Sequence, residues 1–365
     1  MVAVRNRDRL SLMFIALSTS LNIKAGIAFL PSNSLGHGTT YHRALPNHAR
    51  KLSPPSVVDL PRGGDSVGIG GMSSTTALNS VTVHSLVPAA VEAALQSGPY
   101  GVLALTGVAS CAVVPLTLYR QGWSFSVGYG FSVFTMGLVL YNTFKIGLLS
   151  ATSPLSLLAL AVMFYGARLS SFLLLREMTV PSKAEQIKSF NKSAPLKRIP
   201  FAVAVSMFYA FMTSPLMFAA RGGAAATIAA GSTKSTIMNA GVTITWFGAI
   251  MEAITDYQKL LAKRANPDDE STFVGPTDGF YKLCRHPNYL AELVYWFGLT
   301  IAGSPTFGKN IVAWICSSFG LYGIYGIMTG ASKRLDGKQD EKYAGQEKYD
   351  KYKSDVPASL WPWTS

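Results

Sequence analysis

Seven apolar runs dominate the chain between residues 99 and 330: 99–119, 125–149, 154–175, 199–220, 236–258, 288–304 and 309–330. About 20 apolar residues wound as a helix cross the ~30 Å of hydrocarbon in a bilayer. The runs therefore predict an all-α, polytopic transmembrane helix bundle of about seven spans. Polar residues interrupt 125–149 and 236–258, and 288–304 is short enough to be tilted or partly re-entrant. Composition agrees, because 14% of the residues are charged and 49% hydrophobic, whereas a soluble domain carries about 25% charged residues. The net charge of +13 does not mark a nucleic-acid binder, since the bases collect in short loops between apolar runs, as membrane proteins arrange them.

Those loops also orient the bundle. Arg176, Lys183, Lys188, Lys192, Lys197 and Arg198 lie between the third and fourth runs. Lys259, Lys263, Arg264, Lys282 and Arg285 lie between the fifth and sixth, and seven further bases follow the seventh, from Lys333 to Lys353. With seven spans all three groups fall on one side, which the positive-inside rule makes the cytosol or the plastid stroma.

The N-terminus reads as targeting. Arg5, Arg7 and Arg9 precede a short apolar core at 10–21, and the small residues Ala25, Gly26 and Ala28 follow, so 1–28 is signal-peptide-like. Residues 29–98 begin with Phe29, and 29–80 are basic and rich in Ser, Thr, Pro and Gly. Together these resemble the two-part plastid presequence of an alga with a secondary plastid. The alternative is a disordered N-terminal tail and delivery to the endoplasmic reticulum. The membrane domain is then 99–365. Cys111, Cys284 and Cys316 have no paired spacing, so neither a disulfide framework nor a metal site is expected.

The segment 250–295 is the polar exception in an apolar chain. Glu252, Asp256 and Lys259 stand at i, i+4 and i+7, which is one helix face. An acid about a turn inside the membrane, as Glu252 is, faces a cavity or a partner. The plainer reading is an ion pair between Asp256 and Lys259. A turn-rich loop at 266–276 leads to Cys284-Arg285-His286-Pro287-Asn288-Tyr289. Pro287 suits the first turn of a helix, whose free N–H groups favour an anion. Arg285 can fork onto a phosphate. Asn288 and Glu292 share a face, with Tyr289 beside them.

Gly279-Phe280-Tyr281…Arg285-His286-Pro287-Asn288-Tyr289…Glu292 resembles the conserved block of the steroid 5-alpha-reductase-like membrane proteins. More narrowly, it resembles their bacterial and algal branch described as a domain of unknown function. Three further pieces agree in order: Glu252-x3-Asp256-x-Gln258-Lys259, Tyr165-Gly166-Ala167-Arg168-Leu169…Arg176, and Tyr349-x-x-Tyr352-x4-Pro357…Pro362-Trp363. The likeness covers roughly 100–363. Ala291 stands where Gly is frequent and Tyr281 where Trp is usual.

The resemblance implies a membrane reductase whose C-terminal half forms a pocket for NADPH, with a lipidic substrate entering from the bilayer. It assigns Asp256, Lys259, Arg285, His286, Asn288, Tyr289 and Glu292 to the cofactor, helped by Tyr349 and Tyr352. On this reading a carbon–carbon double bond in a sterol, isoprenoid or fatty enone is reduced. Glu252 is a candidate acid, and Tyr209 or Tyr165 an equal one. No glycine-rich fingerprint after a strand is present, so no Rossmann domain is expected. Two other functions share the block: methyl transfer from S-adenosylmethionine to a lipidic substrate, and non-enzymatic binding of a lipid or sterol.

Overall fold

The computed structural model describes residues 88–264 and 271–362. The signal-like segment, all but the end of region 29–98, residues 266–270 of the predicted loop and Trp363 lie outside the described residues. Among the described residues every regular element is helical. In chain order these are α1 (Ala89–Gln96), α2 (Gly101–Tyr119), α3 (Val127–Thr143), α4 (Pro154–Thr179), α5 (Pro181–Ser189), α6 (Ile199–Ala220), α7 (Thr233–Arg264), α8 (Pro287–Phe307), α9 (Ile311–Tyr343) and α10 (Glu347–Asp355).

Five stretches are long and apolar enough to cross a membrane: Gly101–Tyr119, Pro154–Thr179, Pro195–Ala220, Thr233–Arg264 and Ile311–Tyr343. By that measure the protein belongs in a lipid bilayer. The other two predicted spans form α3 and α8. Helix α3 is only 17 residues long, shorter than the run 125–149, because the chain turns at Lys145, whose φ is +51°. Helix α9 runs well past 330. Its 33 residues measure ~50 Å at about 1.5 Å per residue, more than the ~30 Å of hydrocarbon. Its charged C-terminal part, with Asp336 and Asp340, therefore projects from the bilayer.

Helix starts follow local chemistry. Ser153 accepts the Ser156 N–H at 3.1 Å ahead of Pro154, and Asn310 accepts the Ala313 N–H at 3.2 Å ahead of α9. Such caps satisfy donors that the helix itself leaves free.

Packing is closest between α7 and α8 and between α3 and α4. Lipid tails are as apolar as leucine, so membrane helices associate where small residues let backbones approach. A Cβ placed on Gly248 would lie 2.5 Å from the Tyr295 nitrogen, and one on Gly298 2.5 Å from the Thr245 nitrogen. Glycine at both positions sets α7 directly against α8. This brings Glu252 and Asp256 of α7 to Asn288 and Glu292 of α8. Two ion-based ties hold the flanks. Arg221 donates to the carbonyls of Ala94, Leu95 and Gly98 at 2.7–3.0 Å and so caps α1. Arg120 pairs with Glu177, which also accepts the Trp123 indole N–H at 2.6 Å.

Candidate functional site

The deep part of the site gathers side chains from four helices. On α4, Tyr165 and Arg168 share a face. Arg168 donates through Nη1 to Asp256 Oδ2 at 2.7 Å. Its Nη2 lies 2.8 Å from Glu252 Oε1 as an ion pair, without hydrogen-bond alignment. Asn288 donates weakly to Asp256 Oδ1 at 3.4 Å. Glu252, Asp256 and Glu292 are all buried. The expected pair between Asp256 and Lys259 is not formed: Asp256 goes to Arg168, which lies deeper in the bundle.

Tyr129 of α3 joins this network from the other side. Its hydroxyl donates to Glu292 Oε1 at 2.7 Å. The Trp296 indole N–H donates to the same phenolic oxygen at 2.9 Å, and the Tyr165 hydroxyl stands 3.2 Å away. An indole can only donate and a carboxylate can only accept. With Glu292 ionised, the one Tyr129 proton goes to Glu292, and Tyr165 is left as a second donor to Tyr129. Stacked rings hold the geometry: Tyr129 on Tyr209 at 4.7 Å and Tyr165 on Tyr295 at 4.0 Å between centroids. Tyr209 itself donates to the Ser124 carbonyl at 2.9 Å, so its proton is already engaged.

Several buried polar atoms here have no hydrogen-bond partner among the described residues: Glu252 Oε2, Arg168 Nε, Asn288 Oδ1, Gln258 Oε1 and the Tyr295 hydroxyl. Buried polar atoms are ordinarily paired, and exceptions concentrate where a ligand or water completes them. Toward the basic edge, Arg176 and Lys259 feel the charge of Asp256. Neither forms an ion pair or donates a hydrogen bond among the described residues. No group of three His, Cys, Asp or Glu among those residues is placed to hold a metal ion.

The edge itself is a clamp. Arg285 forks onto Asp336 at 3.2 and 2.8 Å and donates to the carbonyls of Val356 and Pro357 at 2.8 and 2.6 Å. The backbone N–H groups of Arg285 and His286 bond to Ala358 and Ser359 at 3.0 Å. His286 Nε2 is 2.8 Å from Asp336 Oδ1, which requires the Nε2–H tautomer in the neutral ring and leaves the buried Nδ1 without a partner. Burial holds the His286 pKa below its ordinary value, against the pull of Asp336. Burial also pushes the Cys284 thiol up to about 11.

Tyr349 and Tyr352 belong to this clamp. They pack with Phe273 and Val356 in a separate apolar cluster, and burial raises both pKa values. Their hydroxyls donate to Asp340 at 2.6 Å and to the Tyr281 carbonyl at 2.9 Å.

The residues expected at the site thus divide. Glu252, Asp256, Asn288 and Glu292 converge in the depth, with Lys259 on the edge side. Arg285 and His286 hold the C-terminal tail to the start of α8, and Tyr349 and Tyr352 hold α10 to the loop before it. Tyr289 lies between the two groups, stacked on His286 with centroids 5.7 Å apart. Sequence reasoning did not place Tyr129, Trp296 or Asp336 at the site. It met Arg168 only as part of a motif, although an arginine in the middle of an apolar run is itself a signal of function.

No curated protein and no solved structure matches the chain significantly. Residues 127–356 match a family described as "Protein of unknown function (DUF1295)". That interval runs from the start of α3 to the end of α10 and contains the acids, tyrosines and arginine of the deep network and every side chain of the clamp, leaving out only the tail carbonyls of Pro357, Ala358 and Ser359, so the chain belongs to the DUF1295 family.

Proposed function

We propose that the protein is a membrane-embedded, NADPH-dependent reductase of a carbon–carbon double bond in a lipidic substrate. The observation that carries this reading is the buried Tyr129–Glu292 pair together with two cations toward the edge, Arg176 and Lys259, that form no ion pair among the described residues. We read α3 and α8, which pack within the same bundle as the five apolar spans, as two further membrane helices, a reading under which both cations fall on the basic side. The leader-like sequence of 1–98 points to a plastid membrane or the endoplasmic reticulum.

The residues fit the cofactor. A dinucleotide carries phosphates, which suit Arg176 and Lys259. Its hydroxyl and amide hydrogens suit the orphaned acceptors Asn288 Oδ1 and Gln258 Oε1. NADPH, when bound, supplies a hydride. The chain supplies the rest. Helices α3, α4, α7 and α8 exclude water from the acids. Tyr129 and Glu292 share a proton across 2.7 Å. Trp296 and Tyr165 direct two donors at the Tyr129 oxygen, so a phenolate left by proton release is stabilised in place. This geometry favours the Tyr129–Glu292 pair as the proton source over Tyr209, whose hydroxyl is tied to Ser124. Glu252, with one free oxygen, is placed to orient a polar group of cofactor or substrate. The wider likeness to steroid 5-alpha-reductases supports the same assignment through the motifs around Glu252 and Arg285.

The test is the lipid inventory of cells lacking the protein. A reductase leaves an unsaturated precursor that wild-type protein removes and the Tyr129→Phe variant does not. An unchanged double-bond inventory together with a missing methyl group would point instead to methyl transfer from S-adenosylmethionine.

A further inference from the structure

We infer that the deep end of the site selects a ligand group carrying positive charge. If the reductase reading above is right, on which this form of the inference rests, the protein holds oxidised dinucleotide more tightly than reduced.

The polarity of the site carries this. Along α7 the order from depth to edge is Glu252, Asp256, Lys259, a rise of about 10 Å at ~1.5 Å per residue. Along α8, running the opposite way, Asn288 lies toward the edge and Glu292 about one turn deeper. Both helices therefore place acid inward, and Lys259 and Arg176 stand outward. In the depth, three carboxylates meet one contacting cation, Arg168. Its two close contacts go to Glu252 and Asp256, which leaves Glu292 with a neutral phenol, Tyr129, as its bonded partner. Glu252 is 2% exposed, yet its Oε2 has no partner among the described residues. The remaining polar groups that line this end, Tyr165, Tyr209, Tyr295 and Trp296, are neutral.

Charge interactions strengthen as water is excluded. A cation entering here meets uncompensated carboxylate, and a neutral ring of the same shape does not. The nicotinamide ring is cationic when oxidised and neutral when reduced, while the phosphates at the other end are the same in both forms. The difference in affinity between the two forms thus reports the deep end alone.

The experiment titrates the full-length protein in lipid nanodiscs with NADP+, NADPH, S-adenosylmethionine and S-adenosylhomocysteine, read by calorimetry. The expected result is NADP+ binding at least about tenfold tighter than NADPH, a difference of roughly 1.4 kcal/mol. Glu292→Gln keeps an acceptor for Tyr129 but removes the charge, and should bring the ratio toward one. Equal binding, or tighter NADPH, overturns the inference and leaves the reductase reading standing. If neither dinucleotide binds but the cationic sulfonium donor binds tighter than its neutral product, the reductase reading falls and the inference holds. Binding of none of the four sinks both. Should Glu292→Gln fail to fold, the wild-type ratio still decides.

Discussion

At the edge of the bundle, Arg285 sends its guanidinium to both oxygens of Asp336 and to two carbonyls of the tail. In the depth, Arg168 meets Glu252 and Asp256 but leaves Nε without a partner. The two arginines have the same donors and opposite surroundings. The edge is nearly closed: arginine, carboxylate, backbone and two tyrosine hydroxyls all find partners within the protein, with the His286 Nδ1 and the Ser359 Oγ as exceptions among the described residues. The depth is open, with Glu252 Oε2, Asn288 Oδ1 and the Tyr295 hydroxyl unmatched. Leaving a buried polar atom unmatched costs about 1–3 kcal/mol. A fold that tolerates several of them side by side is arranged to be completed from outside, whereas the clamp is arranged to hold the chain's own tail.

The comparison breaks most visibly at Arg168. Arg168→Met strips the one contacting cation from two buried carboxylates, and removing one partner of a buried pair costs about 3–5 kcal/mol. The melting temperature in detergent should fall sharply, and a second change, Glu252→Gln, should recover part of the loss. A variant that melts like wild type would show that the depth is not ionic at all. Arg285→Met should cost less, about 1.5–3 kcal/mol for the charged hydrogen bonds, because Asp336 lies on the part of α9 that projects from the bilayer and keeps its bond to His286. Its signature is local: limited proteolysis should release the tail after Val356 while the membrane helices stay resistant. Global unfolding at the same denaturant concentration as for Arg168→Met would erase the distinction between clamp and network.

How far the sequence showed this division depends on the kind of contact. The apolar runs located the membrane helices because length and hydropathy are properties of a single segment. The end of α3 escaped because its break rests on the backbone turn at Lys145, which apolar neighbours conceal. Glu252, Asp256, Asn288 and Glu292 were legible from i, i+4 spacing on two helices. Tyr129 was not, since one tyrosine among the apolar residues of α3 resembles any core aromatic. It becomes part of the site only through the α3–α8 juxtaposition. Asp336 sits among Lys333, Arg334 and Lys338, where composition suggests a solvated helix end. Its bonds to Arg285 and His286 arise from the way α9 outruns the bilayer. Arg285 and Tyr349 were legible as important residues, but motif resemblance carries no information about whether a side chain meets a ligand or the chain itself.

A finer contrast lies within the depth. Tyr129→Phe removes the donor to Glu292 and the acceptor of both the Trp296 N–H and the Tyr165 hydroxyl, so three buried groups lose a partner. Tyr209→Phe leaves one carbonyl, that of Ser124, without its donor. The first should cost about 2 kcal/mol and the second about 1 kcal/mol. Paired thermal melts of the two variants check the order. Equal losses would mean that Tyr129 contributes through its ring stacking on Tyr209 and not through its hydroxyl.

The smallest expected effect tests whether the clamp is as closed as its bonds imply. His286 is buried and its folded pKa lies below the ordinary value, which is about 6.5 in an unfolded chain. Above that pH both states hold a neutral ring and the clamp keeps its full stability. As pH falls through 6.5, the unfolded chain takes up a proton that the folded chain resists, so stability declines until the lower folded pKa is reached. The other four histidines lie before residue 99, so the His286→Gln variant isolates this one by subtraction, and Gln can still donate to Asp336. Melting temperatures between pH 7.5 and 5.5 should fall more steeply for wild type than for His286→Gln. If wild type instead gains stability relative to the variant as pH falls, the Asp336 carboxylate outweighs burial and the ring charges within the clamp. The edge would then resemble the depth in holding a charge with spare bonding capacity, and the opposition between the two regions would rest on Arg285 alone.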